Sequence, residues 1–258
     1  MLKFGALLMI CLAVAKASPV LLGQDAEPES RMAGGQDAPE GDFPYQVSLR
    51  LGGIHYCGGA ILNQRWIITA ASCASGVAPS ALEIVAGTYS LSNGGTSHTA
   101  DRIVIHPNFE IESLTNDVAV VRVRQPFIIS SSVLALQMGR DRMSISYGAI
   151  VSGWGRAGMD SPAISDRLQY HATNIITNTE CQARMESPYY ERINDSVMCT
   201  SNPEGVGICL GNAGGPLVFG GELVGVVSWS IPCGLGLPDV YSRISVHRGW
   251  ALVHTMLP

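Results

Sequence analysis

Three short stretches gather the residue types that could do chemistry. Thr69-Ala70-Ala71-Ser72-Cys73 carries two hydroxyls, those of Thr69 and Ser72. Asn116-Asp117-Val118-Ala119 carries a carboxylate at the head of an apolar run. Gly211-Asn212-Ala213-Gly214-Gly215-Pro216-Leu217 is a glycine-rich turn whose backbone N–H groups are its main polar resource. A fourth stretch, Arg31-Met32-Ala33-Gly34-Gly35, reads as a basic cleavage point. Ser72 is no base near neutral pH, and Ala213 has no hydroxyl. Asp117 can accept hydrogen bonds, and its plainest role is that of a buried, hydrogen-bonded carboxylate that bonds Ser72. Of the six histidines, His55, His98, His106, His171, His247 and His254, none lies in these stretches. His55 reads as a packing and hydrogen-bonding residue on a strand.

These stretches resemble, in order and over nearly all of the chain after Arg31, the trypsin/chymotrypsin family of serine proteases, insect and other arthropod members included. In that family the glycine-rich loop reads Gly-Asp-Ser-Gly-Gly-Pro and the first stretch reads Thr-Ala-Ala-His-Cys. The resemblance therefore implies a catalytic triad at Ser72, Asp117 and Ala213 in which only Asp117 is retained. Acyl transfer by such a triad needs a hydroxyl, a base and a group that holds the base. The expectation from the residues is a pseudoprotease, a chain that is not an enzyme. Gly211 and Ala213 keep backbone N–H groups for an oxyanion pocket.

The same resemblance implies a specificity pocket. Gly207 sits at its base, Ser228-Trp229-Ser230 form one wall, and Asp239 lies on another. Gly207 stands where trypsin-like members carry Asp, and Asp239 where many carry Gly. A similar exchange occurs in some broad-specificity arthropod collagenolytic members. Asp239 either holds an Arg or Lys side chain or turns toward water or a neighbouring hydroxyl. Cleavage after Arg31 frees the Met32 ammonium, which in the family pairs with the aspartate replaced here by Asn212. A neutral amide leaves a buried ammonium without compensation.

The elements that must position these residues follow from the rest of the sequence. The 258 residues, 47% of them hydrophobic, suffice for a sizeable core in one domain or a two-lobed one. A net charge of −5 argues against a nucleic-acid surface. Residues 1–17 read as a secretory signal with Lys3, an apolar run and Ala15-Lys16-Ala17, and residues 18–31 as a propeptide. No later stretch is long and apolar enough to span a membrane. Once Cys11 leaves with the signal, Cys57, Cys73, Cys181, Cys199, Cys209 and Cys233 imply disulfides in a secreted chain. The resemblance pairs Cys57 with Cys73, Cys181 with Cys199, and Cys209 with Cys233.

Short strands between Gly and Pro argue for an all-β barrel or sandwich. Candidates are 45–51, 82–89, 102–105, 118–123, 148–154, 168–176 and 222–229, with a hairpin turn at Gly220-Gly221. Two helices are expected. One covers 179–185 after Asn178 as N-cap, and the other is C-terminal, capped by Ser245, with Val246, Trp250 and Val253 near one face. The resemblance implies two antiparallel six-stranded barrels within 32–258, joined near 126–145. Asn194-Asp195-Ser196 is a glycosylation acceptor. Residues 88–97 lack the paired carboxylates of a calcium loop, and no metal or cofactor is implied.

The function expected is that of a secreted, monomeric homologue that acts by binding a protein or peptide: a protease, inhibitor, zymogen or substrate. Serine-type endopeptidase action, of trypsin-like or broad preference, is the alternative, and a relic without a partner a third reading. After Arg31 the chain has no lysine, so Met32 carries the sole primary amine of the cleaved chain. An amine-reactive reagent is expected to modify it at the rate of an exposed amine. Strong protection in the cleaved protein, read by mass spectrometry, would show a buried ammonium and refute the expectation drawn from Asn212.

Overall fold

The computed structural model describes residues 33–140, 145–231 and 233–256. The expected signal and propeptide, with Arg31 and Met32, lie outside the described residues. Among the described residues fourteen strands alternate with turns: β1 (Gln36–Asp37), β2 (Gln46–Leu51), β3 (Ile54–Ile61), β4 (Trp66–Thr69), β5 (Leu82–Ala86), β6 (Thr96–Ile105), β7 (Ala119–Val123), β8 (Gln137–Met138), β9 (Ser146–Gly153), β10 (Gln169–Ile176), β11 (Val197–Ser201), β12 (Pro216–Phe219), β13 (Glu222–Ser230) and β14 (Asp239–Arg243). The helices are α1 (Ala71–Ala74), α2 (Asn178–Ala183) and α3 (Ile244–Thr255), besides two short 3₁₀ turns at Pro79–Ala81 and Tyr189–Arg192.

Strands β2-β3-β4-β7-β6-β5 close the first barrel. Strands β10-β11-β14-β13-β12-β9 close the second through the pairing of β9 with β10. All these pairs are antiparallel, whereas β8 runs parallel to β13. In a closed barrel one side chain in two faces inward, and the inward residues are mainly apolar. Val47, Leu49, Ile67, Ile84 and Val120 fill the first barrel, and Ala149, Val151, Ile175, Leu217 and Tyr241 the second. The first barrel's last strand ends at Val123, and Ser146 begins the long strands of the second.

The hairpin turn lies where its glycines indicated. β12 ends at Phe219 and β13 starts at Glu222, with Gly220 and Gly221 both at positive φ (58° and 81°), the conformation such a turn demands. The three disulfides are Cys57–Cys73, Cys181–Cys199 and Cys209–Cys233. Each closes a loop short enough to contribute about 3 kcal/mol in the chain-entropy account.

Both helices differ from expectation in detail. Thr177, not Asn178, caps α2, and its Oγ1 accepts the Glu180 N–H at 3.1 Å. Asn178 is the first helical residue and donates to Asn194 O instead. No side chain caps α3, and Ser245 lies inside it. The buried face of α3 is Ile244, His247, Ala251 and Thr255, whereas Val246 and Val253 face outward. His247 takes an inward place because its Nε2 donates to Ser196 O at 3.2 Å.

One buried group is poorly matched to its surroundings. His171 on β10 is 5% exposed, and neither ring nitrogen has a hydrogen-bond partner among the described residues. Burial lowers its pKa to about 4. The unfolded chain, with the ordinary value near 6.5, therefore binds the extra proton first as pH falls, and folding loses stability between about 6.5 and 4. Denaturant melts of His171→Leu at pH 7 and pH 5 should show a loss between the two that is smaller than wild type's by about 2 kcal/mol. An equal loss would mean that the ring is solvated.

Candidate functional site

The site lies where the barrels meet, and Asp117 is its structural centre. It stands just before β7 and is fully buried. Its Oδ1 accepts the Ser72 N–H at 2.7 Å, and its Oδ2 accepts the Ser72 hydroxyl at 3.0 Å and the Ser228 hydroxyl at 2.6 Å. The first-turn amides of α1 have no cap from their own segment. Asp117 serves them from another strand, a carboxylate where the helix presents N–H groups. Desolvation raises its pKa, against the hydrogen bonds from Ser228, Ser72 and Ala71. The Asp117 carbonyl in turn accepts the Ser242 hydroxyl at 2.6 Å.

Ser72 is thus locked to Asp117 at the head of α1, as the sequence indicated. Ala213 lies across the seam and packs against the first barrel's core. Its carbonyl accepts the Gly58 N–H of β3 at 2.8 Å. Gly214 has φ +78°, and a Cβ there would meet Thr69 Oγ1 at 2.2 Å and Gly58 O at 2.5 Å. Only glycine lets the turn pass so close to β3 and β4.

A cleft of about 350 Å³ opens beside this turn. Gly211, Ala213, Ser228, Trp229 and Ser230 line it, together with Tyr56 and Ile208. The amides of Gly211 and Ala213 have no intramolecular acceptor among the described residues. Asn212 points the other way. It is fully buried, its Oδ1 accepts the Gly155 N–H at 2.8 Å, and its Nδ2 has no partner among the described residues.

His55 takes the packing and hydrogen-bonding role on a strand that the sequence indicated, and it positions the turn beside the cleft. Its Nε2 meets Gly211 O at 3.0 Å, and a carbonyl can only accept, so Nε2 carries the proton. Nδ1 then accepts the Ser48 hydroxyl at 2.8 Å. The ring packs edge-on against Trp154 at 5.4 Å. Burial lowers its pKa to about 4, so it stays neutral. It ties β3 to the turn that carries Ala213.

Asp239 is 3% exposed and starts β14. It turns toward neither water nor a hydroxyl. Its Oδ2 accepts from Asn202 Nδ2 and from the Ile208 N–H, both at 3.0 Å. Both of its oxygens lie beside Gly207, where a Cβ would come within 3.2 Å of Oδ2. Burial raises its pKa to about 7. Asn202 lies 37 residues away in sequence, and nothing in the chain's local pattern announced it. Asn194 is exposed, and its Oδ1 accepts the Ser196 N–H and hydroxyl at 2.9 and 2.6 Å.

A family model described as Trypsin matches residues 32–251. The chain belongs to the trypsin family. It is 34% identical to Trypsin delta of Drosophila melanogaster over 98% of this chain and 99% of the relative. It is 35% identical to Trypsin alpha of the same fly over 87% of each, and 33% identical to Trypsin alpha-4 of Lucilia cuprina over 98% of each. These likenesses correct one expectation. The identities of Ser72 and Ala213 pointed to a chain that is not an enzyme, but relatives named as trypsins match it over nearly its full length. That expectation is withdrawn, and the domain is that of a trypsin-like serine protease.

The geometry of Asp117 carries its own prediction. Asp117→Ala would strand the Ser228 hydroxyl and the α1 amides in a buried site, and should cost about 3 kcal/mol or more of stability. Asp117→Asn keeps one acceptor for Ser72 and should cost less. Denaturant midpoints of both variants check the order, and equal losses would show that the hydrogen bonds are not what holds the seam.

Proposed function

We propose that the cleft binds an extended peptide segment of a protein and holds one of its basic side chains at Asp239. The observation that carries this reading is a buried carboxylate beside Gly207 with no cationic partner among the described residues. A guanidinium or ammonium entering there would supply the missing charge through charge-assisted hydrogen bonds. The reaction class that the relatives' names favour is peptide-bond hydrolysis of the trypsin type, and on this proposal the protein is secreted and monomeric. The unpartnered amides of Gly211 and Ala213 suit a developing oxyanion. Residue 213 offers no hydroxyl, so an acyl-transfer step would draw on another. Ser72 Oγ is a hydroxyl of the triad stretches, and it is bonded to a carboxylate.

A second reading rests on Ala213 itself. Capture of a protein partner at the same cleft, as a regulator, decoy or cofactor in a proteolytic or immune setting, needs recognition but no nucleophile. The two readings share the recognition step and part at turnover.

Benzamidine is the probe for the shared step. Its affinity should rise on the order of tenfold from pH 5.5 to pH 8, as Asp239 ionises around 7 and offers a full negative charge. Asp239→Ala should abolish that rise, and calorimetry that finds equal affinity at both pH values would refute the pocket. Arginine peptide amides incubated with the processed chain then separate the readings. Cleavage that a serine-directed reagent blocks and Ser72→Ala removes supports hydrolysis. Peptides bound and recovered intact support capture.

A further inference from the structure

We propose that Arg192, stacked on Trp229 at the edge of the cleft, binds an acidic side chain of the same peptide segment. The inference rests on the peptide-recognition reading above. Trp229 lines the cleft near the end of β13. The 3₁₀ turn Tyr189–Arg192 brings the Tyr189 ring to 6.2 Å from it, tilted by 32°. The Arg192 guanidinium carbon lies 5.9 Å from both ring centroids. Both rings therefore attract the cation by cation–π interaction.

What distinguishes Arg192 is the lack of an anion. Its guanidinium has no hydrogen bond or ion pair among the described residues. Glu191, next to it in sequence, takes the Ser187 hydroxyl at 3.3 Å instead. Arg122 provides the internal comparison. It too stands over a tryptophan, 5.9 Å from the Trp66 centroid, but Asp101 completes it at 2.8 Å. Arg192 has the stack without the carboxylate. A guanidinium fixed on aromatic rings has already lost much of its rotamer freedom and is weakly hydrated, and its planar donors match a carboxylate fork. The class of ligand that fits is an Asp or Glu side chain. With Asp239, which stands across the sheet from Ser230 of the cleft wall, the cleft would read one basic and one acidic residue on a single strand of peptide.

A scan of labelled heptapeptides tests this. Each carries one arginine among glycines and glutamines, with a single Glu replacing Gln at successive positions. Fluorescence anisotropy at 50 mM salt should show one position where Glu tightens binding about fivefold, the size of a well-placed exposed pair. At 500 mM salt the preference should shrink toward none. Arg192→Gln should erase it with benzamidine affinity unchanged, and Arg192→Lys should retain part. No Glu preference at any position in the wild type, or a preference that persists in Arg192→Gln, overturns the proposal. Absence of all peptide binding overturns both readings. A Glu preference that survives while benzamidine fails to compete overturns only the pocket at Asp239.

Discussion

The carboxylate of Asp117 is the constraint around which the two barrels are fitted together. It belongs to the first barrel's β7 segment, yet a donor on its side chain and the donor on its carbonyl, Ser228 and Ser242, come from the second barrel's β13 and β14. The same side chain caps α1 through Ser72. A buried charge with neutral donors is tolerated only when its lone pairs are filled. Moving one barrel relative to the other would empty one of them. The cleft wall at Ser228 and the start of α1 are therefore set by one electrostatic requirement, whatever chemistry follows.

A second seam holds the turn that carries Ala213. His55 Nε2 donates to Gly211 O, Gly58 N donates to Ala213 O, and Gly155 N donates to Asn212 Oδ1. Two of these bonds tie the turn to β3 and the third ties it to the segment just after β9, at distances of 2.8 to 3.0 Å. The side chain of Asn212 is thereby turned into the second barrel. The amides of Gly211 and Ala213 keep their hydrogen-bonding capacity for a ligand. The neutral amide at residue 212 carries a desolvation cost, because its Nδ2 is buried without an acceptor among the described residues.

Much of this was legible in the sequence, for identifiable reasons. Gly220-Gly221 between apolar runs could hardly be anything but a tight hairpin, because both residues need positive φ. The fold class and the cysteine pairs followed from a resemblance spread over the whole chain. Strand β3 was missed because Gly58-Gly59 reads as a turn. In the barrel these glycines instead allow close approach, Gly58 to Gly215 and Gly59 to Ile68. Strand β14 was missed because Pro238 immediately precedes it. The cap of α2 was displaced by one residue, since Asn and Thr both cap helices and only the backbone decides which stands outside. The functional inference from Ser72 and Ala213 failed for a different reason. Two positions were asked to decide an activity that family membership along the whole chain also bears on.

Asp239 and Asp117 pose the same physical problem and solve it differently. Burial raises the pKa of both, and neither has a cation beside it among the described residues. Asp117 is filled by donors of the chain, so a ligand has little to add. Asp239 receives two donors, both on Oδ2. In the folded state its ionised form is disfavoured below about pH 7, because burial makes a bare charge costly. On the proposed reading a cationic ligand would remove that cost, so binding and ionisation would reinforce each other. A ligand that binds only the folded, ionised protein also stabilises it by mass action. Under the proposed reading the pocket would favour positive charge through the fold's own desolvation of Asp239, and the Gly207 backbone, which has no side chain to fill the space, would leave that carboxylate within reach.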